Sequence, residues 1–436
     1  MNIIISICSK SSILEVFLIV KTIFKLLCLL APFLITIVSS VGLFKIIISG
    51  KEEDLKEYGK VFVRRIIAGL VIFFIPAIIT YTINNILGAK DVDFIACFES
   101  ASKERVKELR EQEEAEAEAE RIKKEIEDKD ILRRAYEAEQ KIKASKKESF
   151  EEWKKTHGVG TTKLSYSRAI EIPSDVLRNA SHSDLSVVIT DDKGNVLASR
   201  KPLDLREGGS TTKVFTGYAA VKLLDPVNDK VISTSYAQNM PYMGDPDVKV
   251  GQVLSVSQAA TKDFPGSSNI TTANIAIAIG KKYRHSPNDA QAYFDGIEEI
   301  NNLIKSVGCT NTKIPSSSGV NYNYKTKKWV FDTNGYAEGE DGISANDLAL
   351  ITIAAMQDEN FSKGINYGNN GICPPPNSNT FYIKSGTQKF CHGVWGFNHN
   401  GNRYYIVILG VNCNKGDNKC RIFEDLYNWA VTSVIK

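Results

Sequence analysis

Gly208-Gly209-Ser210-Thr211-Thr212-Lys213-Val214-Phe215-Thr216-Gly217-Tyr218 is the stretch on which the reading of this 436-residue chain turns. Serine is a weak nucleophile at neutral pH and needs a base to take its proton. Ser210 and Lys213 stand three residues apart, so a helix opening at Ser210 puts both side chains on one face, within reach of each other. A lysine serves as that base when burial or a neighbouring cation lowers its pKa towards the working pH. Two later motifs supply what such a pair needs. In Ser267-Ser268-Asn269, Ser267 would relay a proton to a leaving amine, and Asn269 would orient Lys213 and a substrate carbonyl. In Lys384-Ser385-Gly386-Thr387, Lys384 provides the second cation and attracts a substrate carboxylate. The small Ser385-Gly386 pair, on a strand, lets substrate backbone come close. Backbone N–H groups of Ser210 and Thr387 would then form an oxyanion hole.

Each motif alone has a plain structural reading. Gly208-Gly209-Ser210 suits a helix N-cap, Pro265-Gly266-Ser267-Ser268-Asn269 a turn, and Lys384-Ser385-Gly386 a bulged strand. The ordered trio S-x-x-K, S-x-N, K-[ST]-G is far more specific, and it resembles the signature set of penicillin-binding proteins and β-lactamases. The flanking sequence is similar to one branch, the low-molecular-mass penicillin-binding proteins, which are serine D-alanyl-D-alanine carboxypeptidases. The likeness covers roughly residues 165–436. It rests on a β-hairpin pattern over Asp184–Ser199 turning at Lys193-Gly194, on Val248-Lys-Val-Gly-Gln-Val-Leu-Ser-Val256, on Val307–Ile314 and on Ser344-Ala-Asn-Asp-Leu-Ala-Leu350.

The resemblance implies a mixed α/β, β-lactamase/transpeptidase-like domain with a central antiparallel sheet and a helical subdomain. Val187–Thr190, Ile383 and Tyr404–Gly410 would lie on that sheet. It implies a Ser210 acyl-enzyme acting on a peptidoglycan stem peptide, with β-lactams as acylating inhibitors; separately, no zinc-ligand cysteine spacing or Gly-rich phosphate loop appears, so neither metal nor nucleotide cofactor is implied. Ser385 stands where these enzymes usually carry threonine. The family's basic residue after the last strand has three candidates here, Lys415, Lys419 and Arg421, of which Arg421 is taken as substrate-binding. A β-lactamase would need a further glutamate to activate water. Glu298-Glu299 offers one, yet Ile297, Ile300 and Ile304 make that segment an amphipathic helix with exposed acids. A third reading, from another class, is a non-catalytic muropeptide or β-lactam sensor, or a scaffold within a secretion apparatus.

Composition divides the chain in three: a membrane anchor at 1–95, a charged stalk at 96–155 and a catalytic domain at 160–436. Within the first, two runs (26–48 and 66–87) are long enough to cross ~30 Å of hydrocarbon. Residues 1–25 read as an amphipathic helix on the membrane surface. The loop between the runs carries Lys51, Lys56, Lys60, Arg64 and Arg65, which puts it in the cytoplasm and both termini outside. This hairpin resembles two-helix pilin-like subunits of conjugation and secretion systems, on Ile48-Ser-Gly-Lys-Glu-Glu-Asp54 and Arg64-Arg-Ile-Ile-Ala-Gly-Leu-Val71. The stalk, with Glu120/Lys124 and Glu137/Lys141 at i,i+4, reads as a lone helix of roughly 80 Å at about 1.5 Å per residue, ending in a flexible joint at 157–162. Net charge of +3 gives no case for nucleic acid. Of eight cysteines, Cys413 and Cys420 flank a turn and are the expected disulfide, with Cys373–Cys391 second.

Overall fold

The computed structural model describes residues 10–49, 52–85, 94–144, 149–158, 163–244, 247–263, 267–364 and 379–435. It divides into two compact units, residues 1–127 and 128–436. In the first, α1 (Ser11–Ser49) and α2 (Glu52–Asn85) pack as a hairpin, followed by α3 (Phe94–Ser100) and the start of α4 (Lys103–Ala144). Gly42 and Gly69 make the close approach possible, since a Cβ on either would run into Tyr58 or Ile35. α1 is long and apolar enough to cross a membrane. Its apolar side chains are largely exposed, which in water would be unfavourable and in lipid is not. Residues 11–25, expected as a separate surface helix, are instead the first half of α1. They are tied down within the unit: Lys21 Nζ donates to the carbonyls of Glu99 and Ala101 at 2.7 and 2.9 Å, and Leu14 is buried with Ala101, Val106 and Leu109.

Of the segment 96–155, expected as one lone helix, α4 accounts for 42 residues, and α3 and α5 (Phe150–His157) are separate helices on either side of it. The last part of α4 belongs to the second unit, where Lys281 bonds Glu139 at 3.2 Å. α5, opened by a capping box on Ser149 and Glu152, buries Phe150 and Trp153 in the second unit's core. The joint expected at 157–162 lies, beyond Gly158, outside the described residues.

The second unit is built on a six-stranded sheet. Its strands are β1 (Ile170–Glu171), β2 (Ser186–Asp191) and β3 (Val196–Arg200) early in the chain. Two small two-stranded sheets intervene, β4 (Lys230–Ile232) with β5 (Val253–Ser255), and β6 (Tyr322–Asn323) with β7 (Lys328–Trp329). The sheet is completed by β8 (Thr380–Thr387), β9 (Cys391–His399) and β10 (Asn402–Val411). The order is β1-β3-β2-β10-β9-β8, antiparallel except where β1 joins β3. Strand alternation sends Val188, Val394, Tyr405, Val407 and Leu409 to one face and Ile189, Trp395, Phe397, Ile406 and Ile408 to the other.

On the first face lie α6 (Lys213–Leu223), α7 (Ser235–Asn239), α8 (Val256–Asp263), α9 (Asn269–Arg284), α10 (Asp289–Val307), α11 (Ala345–Met356) and α12 (Glu359–Gly364). α9 and α10 touch backbone to backbone: a Cβ on Gly280 would lie 1.9 Å from the Ala292 oxygen, and one on Gly296 1.8 Å from the Ala276 oxygen. Only glycine permits that contact, which sets how closely α9 and α10 pack. On the second face, α13 (Lys419–Trp429) buries Ile422, Phe423, Leu426 and Tyr427, with Trp395 and Phe423 stacked at 4.6 Å. The fold is thus mixed α/β, with the expected strands Val187–Thr190, Ile383 and Tyr404–Gly410 in its main sheet.

Candidate active site

Ser210 sits in a single 3-10 turn, Gly209–Thr212, that leads directly into α6. The turn is pressed onto the end of β8. Gly209 has φ +48, and a Cβ there would lie 2.9 Å from the Thr387 nitrogen. A Cβ on Gly386 would lie 2.4 Å from the Gly208 oxygen and 2.9 Å from the nitrogens of Ser210 and Thr211. Both expected oxyanion donors, the N–H groups of Ser210 and Thr387, therefore border one glycine-lined contact. A third glycine, Gly319 (φ +82), supports the turn from the other side, where a Cβ would overlap the Gly209 oxygen at 1.7 Å.

Around the half-buried Ser210 the three motifs converge. Lys213, one turn later and fully buried, donates from Nζ to Ser210 Oγ at 2.8 Å, to Asn269 Oδ1 at 2.7 Å and to Ser267 Oγ at 3.3 Å. Lys384 Nζ, also buried, donates to Ser267 Oγ at 2.9 Å and to the Ser385 carbonyl at 3.3 Å. Ser267 thus bridges two lysines. A register shift between Tyr382 and Lys384 sets Lys384 opposite Val394, on the sheet face that carries α6 and α9.

The second motif is placed by local chemistry. Ser268 caps α9, its Oγ accepting from the Thr271 N–H at 3.0 Å and donating to Asp247 Oδ1 at 2.7 Å. Asn269 is then the first helical residue, and Ser267 just before it takes φ +51. The left-handed backbone at Ser267 turns its hydroxyl to both ammonium groups. Pro265 and Gly266 of the expected turn lie outside the described residues.

His392 stands outside the three motifs, and the structure buries it completely beside the turn that carries Ser210. His392 pairs in register with Gly386. Its Nδ1 accepts from the Gly410 N–H at 3.2 Å, so Nε2 carries the proton and faces Glu207 Oε1 at 3.3 Å. The carboxylate of Glu207 also accepts from the Phe390 N–H and the Asn321 amide. This pair ties β9, the β8–β9 turn and the 319–321 loop to the residue preceding Gly208-Gly209-Ser210. Next to it, buried Arg206 donates to Ser186 Oγ at 3.2 Å and the Tyr336 hydroxyl at 2.6 Å, and lies 3.3 Å from Asp184. Burial works to raise the Asp184 pKa. Hydrogen bonds from Lys201 and Tyr336, with the charges of Arg206 and Lys201, outweigh it and hold the carboxyl at about 2.

Two expectations need correction. Among the described residues a disulfide joins Cys391 to Cys413, Cα atoms 6.0 Å apart, so neither Cys413–Cys420 nor Cys373–Cys391 forms. Register explains it: Cys391 opposes Val411, the last residue of the adjacent strand, and Cys413 opens the 3-10 turn two residues beyond it. Cys420 is disulfide-bonded too, but it lies past the cap of α13 formed by Asn418. Glu299 is not an exposed acid. It is 2% exposed, ion-paired with Arg284 and bonded by Asn302 at 3.3 Å, so it serves to lock α9 to α10.

Among the described residues Arg421 meets none of the trio. Its side chain is exposed, 3.9 Å from Glu424, because α13 turns Ile422 and Phe423 inward instead. Lys415 is exposed, and Lys419 is half-buried, burial pushing its ammonium pKa down. The thiol of buried Cys309 is pushed well up by burial and by the Asp347 charge, the opposite of a nucleophilic cysteine. Among the described residues, no group of three or more His, Cys, Asp or Glu side chains could hold a metal.

No protein-family model and no curated protein matches the chain. Solved structures do. A serine-to-alanine mutant of the streptomyces K15 DD-transpeptidase is 15% identical, over 56% of this chain and 97% of that one, with a TM-score of 0.43. Penicillin binding protein 6B from Escherichia coli is 20% identical, over 58% and 78%, at 0.45. The D-alanyl-D-alanine carboxypeptidase from Mycobacterium tuberculosis H37Rv is 19% identical, over 56% and 89%, at 0.41.

Proposed function

We propose that the chain is a membrane-tethered serine D-Ala-D-Ala carboxypeptidase that trims peptidoglycan stem peptides. The observation that carries this reading is the Lys213 Nζ–Ser210 Oγ contact at 2.8 Å, with Ser267 shared between Lys213 and Lys384. Lys213 acts as base in its neutral form, and burial near a second ammonium is the physical route to that form. Ser210 Oγ attacks the penultimate D-Ala carbonyl as its proton passes to Lys213. The oxyanion is held by the N–H groups of Ser210 and Thr387. As the C–N bond breaks, Ser267 hands its proton to the departing amine of the last D-Ala and takes the one held by Lys213, 3.3 Å away, leaving an ester on Ser210 and a neutral Lys213. Water then attacks that ester and regenerates the hydroxyl. Lys384, Ser385 and Thr387 receive the terminal carboxylate.

In this reading α1 and the uncharged run from Ile66 both lie in the membrane. The five basic residues between Lys51 and Arg65 stay in the cytoplasm, and the second unit faces the cell wall. A cysteine placed at position 56 should then react with membrane-permeant maleimide alone, and reaction with an impermeant reagent in intact cells would reverse the topology. The chemistry is tested by release of D-alanine from a tripeptide ending in D-Ala-D-Ala, with the full chain in detergent. Release that is absent in Ser210→Ala supports the reading. Release that survives the substitution overturns it.

A further inference from the structure

Beside the candidate site three aromatic rings are gathered at the surface. Tyr242, Tyr322 and Trp329 contact one another with centroids 5.1 to 5.6 Å apart. Tyr242 is 57% and Trp329 53% exposed. Burying such rings would be the default for a folded chain, and an exposed cluster of them marks a binding surface. The cluster is built rather than accidental. Tyr242 holds φ +65, a conformation a tyrosine adopts only against strain. The buried Tyr324 packs under Tyr322 at 5.3 Å and anchors the Tyr242 loop by donating to the Pro241 carbonyl at 2.7 Å.

Its position is fixed to the nucleophile from two sides. Tyr322 follows Gly319, which packs on Gly209, and Asn321, which binds Glu207, so only three residues, about 10 Å of extended chain, separate the ring from the nucleophile turn. Tyr242 is five residues before Asp247, which accepts from the Ser268 cap of the second motif. The hairpin that carries Tyr322 and Trp329 also exposes Lys325, Lys327 and Lys328, for which no acidic partner is found among the described residues.

We propose that this platform binds the glycan chain to which the stem peptide is attached, so that the enzyme holds its substrate at two points. The inference rests on the carboxypeptidase reading of the neighbouring site. Pyranose rings present flat C–H faces that stack on aromatic rings, and the three ammonium groups pair with carboxylates carried on the sugar or on the peptide. Such remote contacts position the scissile bond.

The test is calorimetric titration of the full chain in detergent with soluble murein glycan strands freed of peptide, and with β-1,4-linked N-acetylglucosamine tetramer lacking carboxylates. Wild type should bind the strands, and Trp329→Ala should weaken binding at least tenfold. Tyr242→Gly should do the same while relieving backbone strain, so a loss there cannot be blamed on unfolding. Lys325→Ala with Lys328→Ala should weaken the strands more than the tetramer. Penicillin labelling of Ser210 should be unchanged in all of them. Unaltered binding by Trp329→Ala, or none by wild type, overturns the platform. A change in oligomeric state by light scattering without a change in glycan affinity overturns it in favour of contact with a second copy. Failure of Ser210 to label while glycan binding persists would instead remove the carboxypeptidase reading, and with it the two-point grip.

Discussion

The two faces of the six-stranded sheet are buried to a similar degree and are used differently. One face buries Lys213, Lys384, His392 and Glu207 among aliphatic helices, with Ser210 within reach of solvent. The opposite face is packed with aromatic and aliphatic side chains, Trp395 on Phe423 and Phe397 between Tyr404 and Tyr427, and closed by α13. Burying ionisable groups costs free energy, and residues that do so are retained for chemistry or for positioning. The comparison teaches that buried ionisable groups gather on one face and stacked aromatic rings on the other, and substitutions on each should separate the proposed chemistry from stability.

The largest effect is expected on the polar face. Lys213→Ala should slow acylation by about 10²–10⁴-fold, measured as the rate of fluorescent penicillin labelling, while circular dichroism still shows a folded chain. A matching loss of folded structure would break the distinction. On the opposite face, Phe423→Ala should cost ~3–5 kcal/mol of stability, read from denaturant unfolding, with the labelling rate of the remaining folded protein unchanged. A fall in that rate would show that the faces are coupled.

His392 is the residue that joins both roles. His392→Ala leaves the buried Glu207 without its imidazole donor, at a cost of ~1–3 kcal/mol, and loosens the turn that carries Ser210. It should be the one substitution that lowers both stability and acylation. Acylation at the wild-type rate would make the pair purely structural.

The smallest effect is at Asp184, whose carboxyl is held at about 2. A depressed folded pKa contributes stability that is complete above the unfolded value of about 4 and is lost as pH falls towards 2. Asp184→Asn should therefore flatten the acid limb of the unfolding midpoint between about pH 4 and 2. An unchanged acid limb would contradict the pairing with Lys201, Tyr336 and Arg206.

What could be read in advance follows the same division. Ser210 with Lys213, Ser267 with Asn269, and Lys384 with Gly386 are each close in sequence, so local spacing displayed them. The alternating hairpin at Asp184–Ser199 did the same for the strands. Glu207 and His392 are 185 residues apart, and neither stands in a motif; only strand register against Gly386 brings them together. Register also decided the disulfide, where nearness in sequence had suggested Cys420. The burial of Phe150 and Trp153 was hidden by the charged residues around them, because two apolar side chains in a polar run carry no periodic signal. Arg421 was placed by resemblance, and the periodicity of α13, with Ile422 and Phe423 inward, turns it away.

The central claim is that Ser210 is an acylatable nucleophile activated by Lys213. It is tested most directly by treating the full chain in detergent with a fluorescent penicillin and locating the label by peptide mass spectrometry. The full chain is needed because a fragment starting after α5 would lack the core residues Phe150 and Trp153. Label on Ser210 that vanishes in Ser210→Ala is the result expected. Absence of label on folded wild-type protein, or label that persists in Ser210→Ala, would contradict it.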